Sequence, residues 1–363
     1  MKINQLKLQN FRNFDELTLD FKKSVTLILA PNTSGKTNIL EAIFYLASGH
    51  SFRADVEQEL IQKDKNFTNL EGKITNQEDR VILRVFLQRG EKTTILGKKK
   101  VEVNGVSRRL SSFLGNFQAV LFSPQDLNLV TDSPSKRRKY LDTVLSQTSS
   151  AYPRTSLAYY RNLSQYQKVI TRRNKLLENI REKNLNTEQL FYWNDKLLKL
   201  GQLIFYERKD LLSFFNQEMK TVGEKFNSQK DNLKLIYYPS LLSSERLRAY
   251  QMKEIAAGQS LIGPHRDDFG FFWKDYDLEK YGSRGEQRLV ILALKMAELS
   301  FIRSKTGEMP VLLLDDIFSE LDLENRQKLT FLFGSQQTII TSTEEEVFEI
   351  LEDLKDIETM RLR

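Results

Sequence analysis

The stretch Val25-Thr26-Leu27-Ile28-Leu29-Ala30-Pro31-Asn32-Thr33-Ser34-Gly35-Lys36-Thr37 decides how this chain folds. Val25–Ala30 is a short apolar run that stops at Pro31-Asn32, the pattern of a strand buried on both faces. From Thr37 onward Ile39, Leu40, Ile43, Phe44, Leu46 and Ala47 recur at helical spacing, which predicts a largely buried helix. A Ser-Gly-Lys-Thr turn between a buried strand and a helix is the setting in which a phosphate-loop match carries weight. Backbone N–H groups of Ala30, Pro31, Asn32, Thr33, Ser34 and Gly35 (Pro31 excepted, which has none) and of the helix start are expected to cradle phosphate oxygens. Lys36 is expected to neutralise β- and γ-phosphate charge, and the Thr37 hydroxyl to ligate Mg²⁺. Two positions depart from the usual loop: Ala30 stands in place of the first Gly, and Thr33 where a second Gly is common. A β-branched residue held at positive φ costs about 1–3 kcal/mol.

Outward from the loop, residues 1–30 read as strands and residues 68–120 return to β character, with Val81–Leu87, Lys100–Val103 and Gln118–Phe122 separated by polar turns. Far along the chain, Val311-Leu312-Leu313-Leu314 runs into Asp315-Asp316. An apolar strand of this kind sets the acids at the C-terminal edge of a parallel sheet, where such folds bind ligands. Asp315 is expected to hold Mg²⁺, directly or through water, and Asp316 to orient or deprotonate an attacking water. Aspartates also end strands and cap helices for local reasons, so the pair gains force only beside the phosphate loop.

A large insertion must separate Lys36 from Asp315. Leu157, Tyr160, Leu163, Tyr166, Val169, Leu176 and Ile180 recur at helical intervals, and a second series runs from Leu190 through Trp193, Leu197, Ile204, Leu211 and Phe215 to Val222. Spacings of three and four predict an antiparallel helical hairpin, with Asn186 capping its second helix. Residues 157–222 hold twelve basic and seven acidic side chains, so most of the chain's net charge of +7 belongs to this arm. Strand character resumes at Leu233–Tyr238, followed by a helix over 288–303, a helix near 323–333 and a strand at Thr338–Ile340. Ser283-Arg284-Gly285-Glu286-Gln287 opens the 288–303 helix. Its N–H groups and dipole offer a second anion site, although in isolation plain N-capping by Ser283 is the better reading.

With 363 residues and 40% hydrophobic content the chain can bury a substantial core. It has no cysteine, which excludes disulfides, thiol catalysis and Cys-ligated zinc, and His50 and His265 are too few for a His-rich metal site. The opening residues contain no apolar signal segment and no run is long enough to span a membrane, so a cytoplasmic protein is expected. The basic balance permits a polyanionic partner, and Lys98-Lys99-Lys100 and Lys136-Arg137-Arg138-Lys139 are candidate phosphate contacts. No element resembles a base-reading helix, so any nucleic-acid binding is expected to be sequence-neutral.

The phosphate loop, the Ser-x-Gly-Glu turn, the apolar strand ending in two acids and the following Ser319-Glu320-Leu321-Asp322 turn resemble an ABC-type ATPase head. More narrowly, the chain resembles the RecF family, which is related to SMC heads. Supporting blocks include Leu8–Phe14, Asn38–Ala42, Ser51-Phe52-Arg53, Leu121–Leu127, Ser133–Asp142, Gly263–Asp268 and Leu314–Asp322. The resemblance implies a P-loop ABC-type ATPase head of α/β class with a mostly helical second lobe containing the hairpin. Lobe I is expected over 1–124 and 290–363, and lobe II over 125–289, with the signature at its end. ATP and Mg²⁺ are the implied cofactors. Gln125 is placed by the resemblance in the loop that senses the γ-phosphate, and Ser283, Arg284 and Gly285 against the nucleotide of a partner subunit.

The implied function is an ATP-dependent homodimer that binds double-stranded DNA and gap junctions in recombinational repair and replication maintenance. It acts with RecR and RecO mediators and the recombinase, and a weak, DNA-stimulated ATP hydrolysis serves as its release timer. Asp316 is one methylene shorter than the Glu of most ABC ATPases, and Thr341-Ser342-Thr343 stands in place of their switch histidine. Those departures keep a second reading in view, a nucleotide-binding DNA scaffold with little or no hydrolysis. A transporter-type ATPase subunit fits less well, for want of that Glu and histidine.

Overall fold

In the computed structural model the described residues are 1–77, 79–90, 97–148, 158–183, 185–226, 233–318, 326, 333, 335–344, 346–351 and 356–362. The chain divides into two compact units, one formed by Met1–Asp126 with Glu298–Arg363 and the other by Leu127–Ala297.

In the first unit, β1 (Lys2–Phe11), β2 (Phe14–Asp20), β4 (Phe67–Thr75), β5 (Arg80–Gln88), β6 (Lys98–Val103) and β7 (Val106–Arg108) form an antiparallel sheet in the order β2-β1-β4-β5-β6-β7. A register shift between Ile3 and Gln5 breaks the period of two, so that Ile3, Leu6 and Leu8 all reach the core. A parallel sheet holds β3 (Val25–Leu29), β8 (Ala119–Phe122), β12 (Val311–Asp315), β13 (Thr338–Ser342) and β14 (Ile357–Arg361), in the order β14-β3-β13-β12-β8. All five residues of β3, β12 and β13 are buried, as their apolar runs predict for strands paired on both edges.

Helix α1 (Lys36–Ser48) shares one hydrophobic core with both sheets: Ile39, Leu40, Ile43 and Tyr45 pack with Leu6 of β1, Leu83 of β5, Leu313 of β12 and Ile339 of β13. Each such aliphatic side chain contributes about 1.5–3 kcal/mol by leaving water. The helix stops at Gly49, whose left-handed φ of 71° lets its N–H reach Tyr45 O at 2.8 Å. A short helix α2 (Leu110–Phe113) precedes β8.

The second unit is mostly helical. After α3 (Asn128–Thr131) and α4 (Pro134–Gln147) come α5 (Ala158–Lys183) and α6 (Leu190–Phe226). These two helices run antiparallel, since Tyr159 meets Arg208 while Arg173 meets Asn194. Asn186 does cap, but the element it opens is a 3₁₀ turn over Thr187–Gln189 that leads into α6. A three-stranded antiparallel sheet of β9 (Leu233–Tyr238), β10 (Asp268–Trp273) and β11 (Tyr276–Asp277), with α7 (Ser244–Ala257) and α8 (Leu278–Tyr281), completes the unit up to α9 (Arg284–Thr306).

Buried charges are internally matched here. Arg208 lies 2% exposed between Asp142 and Asp267, and Arg173 bonds Glu254, Asn194 and Ser260. The Lys136–Lys139 run is split by the fold: Arg137 is buried in a two-pronged pair with Asp268, at 2.6 and 2.9 Å, and Arg138 donates to Asp267 O. His265 sits on a 3₁₀ turn, between Tyr166 Oη at 2.8 Å and Ser260 O at 3.1 Å. The helix expected near 323–333 and the Ser319–Asp322 turn lie outside the described residues, apart from Arg326 and Phe333 of the former.

Candidate nucleotide-binding site

The loop between β3 and α1 takes a backbone path that its sequence resists. Thr33 has φ 72° and Gly35 φ 99°. Glycine is required at the second position on two counts, since a Cβ there would come within 2.6 Å of Asn13 Nδ2 and of Phe14 Cζ. Thr33 carries the strain expected of a β-branched residue at positive φ, with its hydroxyl turned onto Asn32 O. Ser34 Oγ is buried and, among the described residues, has no hydrogen-bond partner. A hydroxyl in that condition inside a phosphate loop suits an incoming phosphate oxygen.

Lys36 folds back across the loop, donating to Pro31 O at 2.9 Å and to Ala30 O. Burial lowers its pKa, while the nearby Asp316 and Asp315 carboxylates pull it back up. Thr37, the next residue, donates its hydroxyl to Asp315 Oδ1 at 3.0 Å, across 278 residues of sequence. Thr341 on β13 donates to the same oxygen at 2.8 Å. Asp315 is 7% exposed, and burial raises its pKa against the opposing pull of those two hydroxyls. The result is a buried carboxylate beside a threonine hydroxyl at the mouth of a phosphate loop, a hard-oxygen donor set of the kind Mg²⁺ prefers.

Asp316 follows at the strand end with φ 52°, a conformation that aspartate tolerates better than most residues. Its N–H donates to Thr341 O at 3.1 Å, so β13 sets the direction in which the chain leaves the sheet.

A second group around the loop has no counterpart in the sequence-predicted roles. Asn13, in the turn between β1 and β2, donates to Ser34 O at 3.2 Å and accepts from Asn38 Nδ2 at 2.7 Å. Arg53 Nη1 donates to Asn38 Oδ1 at 3.1 Å. Beneath them the fully buried Glu41 of α1 accepts both prongs of Arg12, at 2.9 and 2.7 Å, and the Ser51 hydroxyl. Ser51 Oγ in turn accepts the N–H groups of Arg53 and Ala54. Arg12, Asn13, Asn38 and Arg53 line an open cavity of about 740 Å³ beside the loop. Their only sequence signal was membership of three blocks, Leu8–Phe14, Asn38–Ala42 and Ser51–Arg53, that match the family; periodicity assigned them nothing.

Gln125 is exposed on the 3₁₀ turn Pro124–Leu127, just past the C-terminal end of β8, the strand beside β12. Ser123 N–H holds that turn by donating to Asp126 Oδ2 at 2.7 Å.

Ser283, Arg284 and Gly285 belong to the second unit, at the start of α9, which begins four residues before the expected 288. The extension is a capping box. Glu286 N–H donates to Ser283 Oγ, while the Glu286 carboxylate accepts Ser283 N–H at 2.8 Å and also the Tyr276 hydroxyl. Those donors, Tyr276 first, lower the Glu286 pKa. Gly285 is exposed, and among the described residues a Cβ there would meet only Ser283 Oγ, 4.0 Å away, so none of them demands glycine.

Residues 2–361 match the RecF/RecN/SMC N-terminal domain family. A protein of Natranaerobius thermophilus named DNA replication and repair protein RecF is 37% identical, over 98% of this chain and 94% of its own length. One of the same name from Halalkalibacterium halodurans is 36% identical, over 94% and 93%. A solved structure described as the recombination mediator protein RecF with ATP in the RecFOR pathway superposes with a TM-score of 0.88 at 29% identity, covering 99% of this chain and 95% of that one. An SMC head domain from Pyrococcus furiosus, at TM-score 0.53 and 19% identity, shares the fold. The architecture is that of a P-loop ABC-type ATPase head, and the chain belongs to the RecF family.

Proposed function

We propose that this protein is an ATP-gated, dimerising DNA-binding protein of recombinational repair and replication maintenance. It clamps duplex DNA near single-strand gaps without reading sequence, and helps load recombinase together with RecO- and RecR-type mediators. The observation that carries the reading is the junction of Thr37, Asp315 and Thr341 at the phosphate loop, with Lys36 and the buried Ser34 hydroxyl beside it.

In this reading the backbone N–H groups of the loop bind the nucleotide's phosphates, and Lys36 leaves its two carbonyl partners to meet β/γ charge. Thr37 and Asp315 would hold Mg²⁺, which when bound neutralises phosphate charge. Asp316, turned at the strand end, holds a water and accepts its proton. Its short side chain reaches less far than a glutamate, which favours slow turnover. The cavity lined by Arg12, Asn13, Asn38 and Arg53 has room for the nucleoside. Gly285 supports a second subunit as the other wall: a glycine that nothing nearby requires, at an exposed helix start, leaves space for phosphates presented by a partner.

Sedimentation of the full chain with Mg²⁺-ATP, with and without duplex DNA, tests this directly, together with phosphate release. The reading expects an ATP-dependent dimer, tighter DNA binding in the same state, slow hydrolysis, and loss of all three in Lys36→Ala. ATP-dependent dimers that bind DNA without releasing phosphate would establish the scaffold reading instead. A monomer indifferent to ATP would sink both.

A further inference from the structure

The second unit carries a charged face that the nucleotide site does not use. From Ala158 to Leu177, α5 contains no acidic residue; the first is Glu178. Arg161, Lys168, Arg172 and Lys175 are all exposed on this segment. Steps of seven, four and three residues place them on one side of the helix, spread over about 21 Å of its length. The fifth cation, Arg173, points the other way and is fully buried against Glu254. The helix thus separates one structural arginine from a row of surface cations.

What lies between the cations is equally selective. Ser164, Gln167, Lys168, Thr171 and Arg172 line a shallow groove of about 280 Å³, and every one of these side chains carries a hydrogen-bond donor. The Arg172 guanidinium rests over the Trp193 ring, 5.8 Å from its centroid, and Lys175 lies 3.2 Å from Glu178 at the row's end. On α6 the exposed charges among the described residues are mixed in sign, Asp195, Glu207 and Asp210 lying among Lys196, Lys199 and Lys209, with Lys199 bridged to Asp195 at 2.9 Å. Solvated helix faces usually mix signs in this way, because like charges three or four residues apart repel. The α5 row keeps that repulsion at two successive spacings, Lys168 to Arg172 and Arg172 to Lys175.

We propose that this face of α5 binds the sugar–phosphate backbone of double-stranded DNA. A duplex presents regularly spaced anions whose neutralisation by a row of Lys and Arg is sequence-independent. On α5 itself no exposed aromatic ring on which unpaired bases would stack and no exposed apolar side chain that would enter a lipid surface lies among the four cations; the exposed Phe191 and Tyr192 belong to the start of α6. The assignment rests on the duplex-binding reading above and locates a contact surface within it.

The test is binding of a fluorescent duplex of about 30 base pairs to the full chain with Mg²⁺-ATP over a series of salt concentrations. It compares wild type with a variant carrying Arg161→Ala, Lys168→Ala, Arg172→Ala and Lys175→Ala. Four lost phosphate contacts should flatten the log–log salt dependence by about 3.6, at about 0.9 per contact, and weaken binding at low salt. Nucleotide affinity should stay within two-fold of wild type, and an unchanged urea midpoint from Trp273 fluorescence reports that the second unit is folded. A charge-preserving pair, Arg161→Lys with Arg172→Lys, should retain the wild-type slope, and Lys196→Ala with Lys199→Ala on α6 should not alter it. If wild type binds duplex and the four-residue variant shows the same slope, the surface assignment is wrong and the DNA-binding reading survives. If wild type binds no duplex even at low salt, both fall together.

Discussion

Thr33 should be a place where glycine improves the protein. Its backbone sits at φ 72° while its side chain is exposed, so replacement loses little packing. A β-branched residue in this region stores about 1–3 kcal/mol, and the extra freedom of an unfolded glycine takes back about 0.5–1, leaving Thr33→Gly more stable by up to about 2.5 kcal/mol. Thr33→Ala keeps a Cβ at positive φ and should recover little of this. Both tryptophans, Trp193 and Trp273, lie in the second unit, so fluorescence would not report on the loop. Hydrogen exchange of the β3 and α1 amides, followed by mass spectrometry, does. Those amides should exchange more slowly in Thr33→Gly than in wild type, by up to about 70-fold, under conditions where unit opening limits exchange. Equal exchange in the Gly and Ala variants would show that the loop stores no such strain, and the reasoning would be refuted.

Asp315→Asn retains an acceptor for the Thr37 and Thr341 hydroxyls and removes a buried charge, so at neutral pH the metal-free protein should gain about 0.5–2 kcal/mol in a denaturant titration while Mg²⁺ no longer tightens nucleotide binding. In wild type the raised Asp315 pKa means that the ionised group opposes folding once pH rises above the usual carboxylate range; Mg²⁺ dependence measured by calorimetry should fade as pH drops back through the raised value. Arg208→Met strands Asp142 and the buried Asp267, and should cost about 3–5 kcal/mol, read from Trp193 and Trp273 fluorescence during urea unfolding. Glu286 has a lowered pKa, so its cap on α9 is fully present above the usual glutamate range and is lost as pH falls through the lowered value. Glu286→Gln should remove that pH dependence in helix-start exchange, and Glu286→Ala should fray the first turn of α9 at all pH values.

The phosphate loop was legible because strand, turn and helix are neighbours in sequence, and the burial of β3 and α1 follows from local apolar pattern alone. The Val311–Asp315 strand was legible for the same reason, and the hairpin from its helical spacing. The start of α9 was read four residues late because its first turn is polar, and reciprocal capping by Ser283 and Glu286 leaves no apolar trace.

Long-range contacts were not legible. Thr341 reaches Asp315 only because β12 and β13 pair in parallel with Asp315 opposite Thr341. The Arg12–Glu41 pair and the Asn13–Asn38–Arg53 chain of hydrogen bonds join the β1–β2 turn, α1 and the segment after it through side chains whose sequence spacing has no period. Charge shows the division most plainly. The sequence by itself determined the α/β class, the phosphate loop, the two aspartates and a basic helical arm, because each is written in adjacent or periodic residues. Only the tertiary structure decided which cations face water. Arg137, Arg173 and Arg208 are drawn inside by carboxylates that lie far away in sequence, while Arg161, Lys168, Arg172 and Lys175 remain outside because no such partner folds over them among the described residues.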